Sequence, residues 1–204
     1  MGGGGMRVRL SNIIRRMKQS WGTAEIKRRL WNKEFQEGHW DFIDHTQGDV
    51  VYDVVGRYCR KGRILDLGCG SGNTGCELDV DLYATYVGVD VSDVALEKAV
   101  SRSRKAGRQN RNRYVRGDIV DYVPEEKFDV ILFRESIYYV QRSKIAPLLI
   151  RYAESLAPEG VIIVRWHDHK VALEFLEMLG LNFRIVESFG SDAAGPFIVV
   201  FQPR

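Results

Sequence analysis

From residue 63 onward, short runs rich in β-branched and aromatic residues alternate with segments of helical periodicity. That alternation restricts the chain to very few folds. Extended runs are read at residues 64–67, 86–91, 114–117, 128–133 and 161–166, with two more at 183–189 and 197–202. Helical spacing separates the first five. Leu96, Ala99 and Val100 recur within 93–103, and Ile145, Leu148, Leu149, Tyr152, Ala153 and Leu156 within 145–157. Pro147 is placed in the first turn of that helix, and Pro158 with Gly160 is expected to end it and turn the chain into the next strand. A further helix is read over 171–179, closed by Gly180. This order predicts an α/β architecture with a Rossmann-like, doubly wound, seven-stranded sheet. Residues 190–195 are too few for a crossover helix, so the last strand is expected to run antiparallel to an otherwise parallel sheet.

Ahead of the sheet the pattern is helical. Leu10, Ile13, Ile14, Met17 and Trp21 fall on one stripe; Thr23 suits an N-cap for a helix carrying Ile26, Leu30 and Phe35. Gly38 interrupts, and 49–58 reads as a third helix through Val51, Val54 and Val55. The expected organisation is an N-terminal helical segment at 1–55 and a main domain at 56–204. At 204 residues the chain suffices for one such domain.

The first strand runs into Asp66-Leu67-Gly68-Cys69-Gly70-Ser71-Gly72. Glycines allow a sharp turn, a close approach to a ligand and the start of a helix. Alone, Gly70, Gly72 and Gly75 also match a dinucleotide fingerprint. The preceding acid separates the two readings: a carboxylate at Asp66 would repel a pyrophosphate but favours a ligand bearing an ammonium and a sulfonium. Asp90, twenty residues beyond Gly70 at the end of the second strand and followed by Val91, is placed to accept from ribose hydroxyls. Asp118, followed by Ile119, ends the third strand, where it can accept from an adenine amino group.

With Phe128-Asp129-Val130-Ile131-Leu132-Phe133 as the fourth strand, these landmarks resemble the class I S-adenosylmethionine-dependent methyltransferase family. The resemblance covers residues 56–204 and implies a methyltransferase that uses S-adenosylmethionine and releases S-adenosylhomocysteine. It implies that Asp66, Gly68, Cys69, Gly70 and Gly72 lie along the methionine portion, Asp90 and Val91 at the ribose, and Asp118 and Ile119 at the adenine, with Arg134 beside the cofactor. More narrowly, Trp40-Asp41-Phe42-Ile43, Tyr58-Cys59-Arg60 and Glu135-x-x-Tyr138-Tyr139 resemble small bacterial methyltransferases of polysaccharide, glycolipid and secondary-metabolite pathways, including nodulation-type N-methyltransferases. Those relatives carry a small polar residue where this chain has Arg134.

Ligands of such folds gather at the carboxyl ends of the strands. Glu135, as base, amine binder or salt-bridge partner of Arg134, and His167, as base, are the catalytic candidates; Asp168 and His169 follow. Tyr138, Tyr139, Trp40 and Trp166 are expected to line an acceptor pocket, and Trp31, Phe35, Trp40, Phe42 and Tyr52 to form a lid. No metal is expected. The implied acceptor is an oxygen or nitrogen of a small molecule.

The bulk properties agree. Net charge is +3, which gives no strong nucleic-acid footprint. The exceptions are a basic arm (Arg7, Arg9, Arg15, Arg16, Lys18) and clusters at 102–105 and 108–113, which sustain an alternative reading as an RNA or protein methyltransferase. A cofactor-binding scaffold without catalysis is a third reading. No apolar run is long enough to cross a bilayer, and Cys59, Cys69 and Cys76 form no paired motif, so a cytoplasmic setting is expected.

Overall fold

The computed structural model describes residues 17, 19–41, 46–167, 169–180, 182–190 and 196–204. The stripe from Leu10 to Ile14, the basic arm through Lys18, and Phe42, Ile43 and Asp168 lie outside the described residues, as does the His169 side chain.

Helices α1 (Ala24–Gln36) and α2 (Val51–Cys59) precede strand β1 (Arg63–Leu67). Then follow α3 (Asn73–Glu77), β2 (Thr85–Asp90), α4 (Asp93–Lys105), β3 (Asn112–Arg116) and β4 (Phe128–Arg134). The chain closes with α5 (Arg142–Ala153), β5 (Leu156–Trp166), α6 (His169–Leu179), β6 (Phe183–Phe189) and β7 (Phe197–Pro203). Thr23 caps α1 as expected, its hydroxyl accepting from the Ile26 amide at 3.4 Å. Ser92 does the same for α4.

The seven strands lie in the order β3-β2-β1-β4-β5-β7-β6. β1 through β5 pair in parallel, and β7 is antiparallel to both β5 and β6. The reversed strand is therefore inserted between β5 and β6, not at the edge. Alternation along the strands sorts residues into two layers. Leu65, Leu67, Ile131, Phe133, Ile162, Val164 and Trp166 pack with α5 and α6 on one face. Ile64, Val130, Leu132, Val161 and Ile163 pack with α2 on the other. Strand order reverses direction between β1 and β4, which opens a crevice at their carboxyl ends.

Two proline expectations are corrected. α5 begins at Arg142, which puts Pro147 past the first four positions whose amides lack helical partners, so it removes one helical hydrogen bond. Pro158 and Gly160 do not end the helix, which stops at Ala153. They lie inside β5, where pairing jumps from Phe128–Leu156 to Val130–Val161; the bulge leaves Pro158 with no ladder bond to donate. No helix among the described residues is long and apolar enough to cross a membrane.

Candidate active site at the strand carboxyl ends

β1 delivers the chain into Gly68 at φ +80° and Gly70 at φ +54°, a region open chiefly to glycine. The Gly68 and Cys69 amides both donate to Val89 O, at 2.8 and 3.0 Å, and Ser136 Oγ donates to Leu67 O at 2.5 Å. The loop is thus wedged between the ends of β2 and β4. A Cβ at Gly68 would meet Ser136 Cβ at 2.5 Å, and at Gly72 it would meet Ala99 Cβ at 2.8 Å. Both glycines are required by protein packing. Gly70 differs: its nearest neighbour would be Phe35 Cζ at 3.6 Å, and its backbone faces a cavity.

Three carboxylates surround this loop. Asp66 is 2% exposed and accepts from the Tyr86 hydroxyl at 2.6 Å, while its Oδ1 has no partner among the described residues. Burial pushes its pKa up against the pull of Tyr86, Thr74 and Arg134. Asp90 accepts from the Gly70 amide at 2.9 Å and the Ser92 amide at 2.8 Å, yet its burial still raises it to about 6. Asp118 accepts from the Val120 amide at 3.0 Å and from Lys27 Nζ at 2.7 Å.

A cavity of about 120 Å³ runs past Asp90, Val91, Asp118 and Ile119 to Gly68 and Gly70. One water needs ~10–15 Å³, so this is ligand-sized space rather than a packing defect. Lys27, Trp31, Phe35, Trp40 and Tyr139 close its outer wall. Trp31 meets Tyr139 edge-on at 4.8 Å and Trp40 at 5.6 Å, and Trp40 Nε1 donates to the buried Glu34 at 3.2 Å. Trp31, Phe35 and Trp40 thus cover the crevice, whereas Tyr52 packs in the α2 core and donates to Glu77 at 3.0 Å.

A second cavity, about 380 Å³, shares Gly68, Gly70, Trp40, Arg134 and Glu135 with the first. It also contacts Asp66 and Cys69, and extends to Thr46, Asn73, Tyr138, Arg165 and His167. Arg134 and Arg165 are direct neighbours across β4 and β5, an arrangement that like charges alone would disfavour. Asp49 resolves it: its Oδ2 accepts from Arg134 at 2.9 Å and pairs with the Arg165 guanidinium at 3.1 Å. Arg165 also pairs with Glu135 Oε1, and the Tyr138 hydroxyl donates to Glu135 Oε2 at 3.0 Å. Glu135 is held at φ +55°, an uncommon geometry for a side-chain-bearing residue and one that tends to occur at functional sites.

This network corrects two expectations. Glu135 pairs with Arg165 rather than with Arg134. Trp166 leaves the acceptor pocket: it is 1% exposed in the α6-side core, 4.6 Å from Phe175 and 6.2 Å from Phe197. One position of strand alternation decides this, because Arg165 shares the face of Ile163. That alternation was the available signal for Arg165. Lys27, Asp49 and Ser136, also missed, carry no local pattern that marks them. His167 lies exposed at the cavity wall, Tyr138 and Tyr139 line the two cavities, and Gly72 lies off both walls as the α3 N-cap.

Three arginines of the basic clusters serve the fold. Arg102 donates to Ser71 O at 3.1 Å, Arg108 to Gly75 O at 3.2 Å, and Arg111 to Val80 O at 2.9 Å. Among the described residues no cluster of metal-ligating side chains occurs.

Residues 64–160 match the family model described as "Methyltransferase domain". The chain is 26% identical over 124 residues to 27-O-demethylrifamycin SV methyltransferase of Amycolatopsis mediterranei, a match covering 57% of this chain and 46% of that protein. It spans about half the length of the curated relatives it matches. Among solved structures it resembles a DhpI–SAH complex, with TM-score 0.72, 15% identity, and coverage of 90% of this chain and 98% of that one. It also resembles the N-methyltransferase NodS of Bradyrhizobium japonicum WM9 in complex with S-adenosylhomocysteine, with TM-score 0.67, 17% identity, and coverage of 86% and 97%. The methyltransferase-domain match thus spans residues 64–160, and the fold around it is the one these cofactor-bound structures share.

Proposed function

We propose that the chain transfers the methyl group of S-adenosylmethionine to an oxygen or nitrogen of a small molecule, such as a sugar, glycolipid or secondary metabolite. One observation carries the reading: two cavities meet at Gly68, Gly70, Arg134 and Glu135, one walled by Asp90 and Asp118, the other by polar side chains. The residues suit the cofactor. The unpaired, buried Asp66 Oδ1 is an acceptor awaiting a donor, and an ammonium would satisfy it. Asp90 accepts from ribose hydroxyls and Asp118 from the adenine amino group. When bound, the cofactor supplies an electrophilic methyl on a sulfonium.

The remaining chemistry belongs to the chain. Residues 1–55 act as the lid of the domain at 56–204, with Trp31, Phe35, Trp40 and Tyr139 excluding water from the junction. Alignment supplies much of the rate, since orientation is worth ~7–11 kcal/mol in favourable cases. His167, at the wall of the second cavity, removes the proton of a hydroxyl or ammonium acceptor. Arg165 and Tyr138 occupy the two oxygens of Glu135, which therefore orients Tyr138 toward the acceptor. Desolvation, then Tyr139 and Glu135, pushes the Tyr138 phenol up, so it acts as a hydrogen-bond donor.

The test is thermal unfolding with S-adenosylhomocysteine against NAD. Ligand at about 100 times its Kd adds ~2.7 kcal/mol to the folded state. Asp90→Ala should erase the gain from S-adenosylhomocysteine, and stabilisation by NAD alone would refute the cofactor reading. A screen over aminosugars, sugar hydroxyls and phenolics, followed by cofactor consumption, then identifies the acceptor class.

A further inference from the structure

Lys27 lies on α1, outside the matched domain, yet its ammonium reaches Asp118 at 2.7 Å with the two side chains only 9% and 6% exposed. Burying an ammonium and a carboxylate is costly even when they pair, so a pair used only to dock a helix gains little from such depth. Docking is also served elsewhere. Arg28 meets Asp93 at 2.6 Å, Ser92 Oγ donates to Asn32 at 2.8 Å, and Lys98 donates to Phe35 O at 3.1 Å. Lys27 and Asp118 instead line the cofactor cavity side by side, beside Ile119.

Their chemistry is complementary to one molecular edge. A lysine ammonium has three donors and no acceptor, and an ionised carboxylate only accepts. Adenine presents an amino donor next to the N1 acceptor on its Watson–Crick edge. We infer that Lys27 donates to adenine N1 while Asp118 accepts from the amino group, so that a side chain of the lid helix reads the cofactor's base. This rests on the placement of adenine at Asp118 given above. A 6-oxo purine reverses both groups, setting an oxygen against Asp118 and an N–H against Lys27. Base recognition and lid seating are then one event, since the residue that completes the base contact is carried by the lid.

The experiment compares S-adenosylhomocysteine with S-inosylhomocysteine, its 6-oxo analogue, by calorimetric titration of the full chain, wild type and Lys27→Met. The wild type should bind the adenine compound at least ~10-fold more tightly, since a hydrogen bond to a charged group contributes that much or more. Lys27→Met should lose about tenfold for the adenine compound and, with it, part of the discrimination, Asp118 keeping the remainder. Unchanged affinity in Lys27→Met, equal losses for both compounds, or a wild type that does not discriminate would each overturn the inference. Should Lys27→Met lose its near-ultraviolet circular dichroism, Lys27→Gln is scored by the same ratio. Asp118→Asn separates the two layers of the argument: full affinity for S-adenosylhomocysteine in that variant would refute the adenine placement itself.

Discussion

With the cofactor placed as proposed, Asp90 makes its binding depend on pH in a direction that can be worked out. The residue is 8% exposed, and burial lifts its pKa from 3.8 to about 6 against the backbone amides of Ser92, Gly70 and Val91. That rise of about 2.2 corresponds to roughly 3 kcal/mol against the ionised form. Because the folded value lies above the unfolded one, the protonated form's contribution to stability is fully present below pH ~4 and is lost as pH rises through about 6. Ribose hydroxyls donating to the carboxylate favour the ionised form, so ligand binding must expel the proton wherever Asp90 holds it. At pH 5 only about one unliganded molecule in eleven is ionised at this position, which makes S-adenosylhomocysteine bind roughly tenfold more weakly than at pH 7.5. Calorimetry from pH 5 to 8, in two buffers of different ionisation enthalpy, measures both the affinity and the proton released. Asp90→Asn should bind more weakly and show a shallower profile. A flat wild-type profile, or an Asp90→Asn variant that keeps the whole slope, would refute the reasoning.

Other substitutions test separate parts of the structure. His167→Asn should lower kcat/KM by about 10²–10⁴ with S-adenosylhomocysteine affinity unchanged, as loss of a general base requires; full turnover would remove His167 from the chemistry. Arg165→Met leaves Glu135 without its guanidinium and Asp49 with one partner fewer, so urea unfolding should show a loss of about 3 kcal/mol. Gly68→Ala sets a Cβ 2.5 Å from Ser136 Cβ at φ +80°, and should cost at least ~2 kcal/mol of stability and weaken cofactor binding with it. Conversely Arg60→Gly, at the left-handed C-cap of α2 (φ 50°), should stabilise the fold by about 0.5–1 kcal/mol.

The sequence of strands, the antiparallel last pair and the acids at the strand ends are legible in the chain itself, because each is written within a handful of neighbouring residues, whereas the helix expected between β3 and β4 is absent and residues 117–127 form turns instead. Periodicity records which face an element buries, and a glycine run records a turn. Where one residue of register matters, local pattern does not suffice: the alternation of β5 turns Arg165, not Trp166, to the second cavity. Pro147 and Pro158 differ from expectation for a related reason, since a helix start and a bulge are set by the partners of the backbone and not by the proline.

The chain order of amino acids therefore determined the fold, the glycine turn and the acids beside it, all consequences of short-range sterics and hydrophobic patterning. Tertiary packing alone decided which charges meet. Lys27 and Asp118 are 91 positions apart, and Asp49 and Arg134 are 85 apart. Such pairs form because α1, the segment before α2 and the strand ends are driven together by apolar burial, and a buried charge must then take the opposite charge that packing has brought within reach. No spacing in the sequence encodes that meeting.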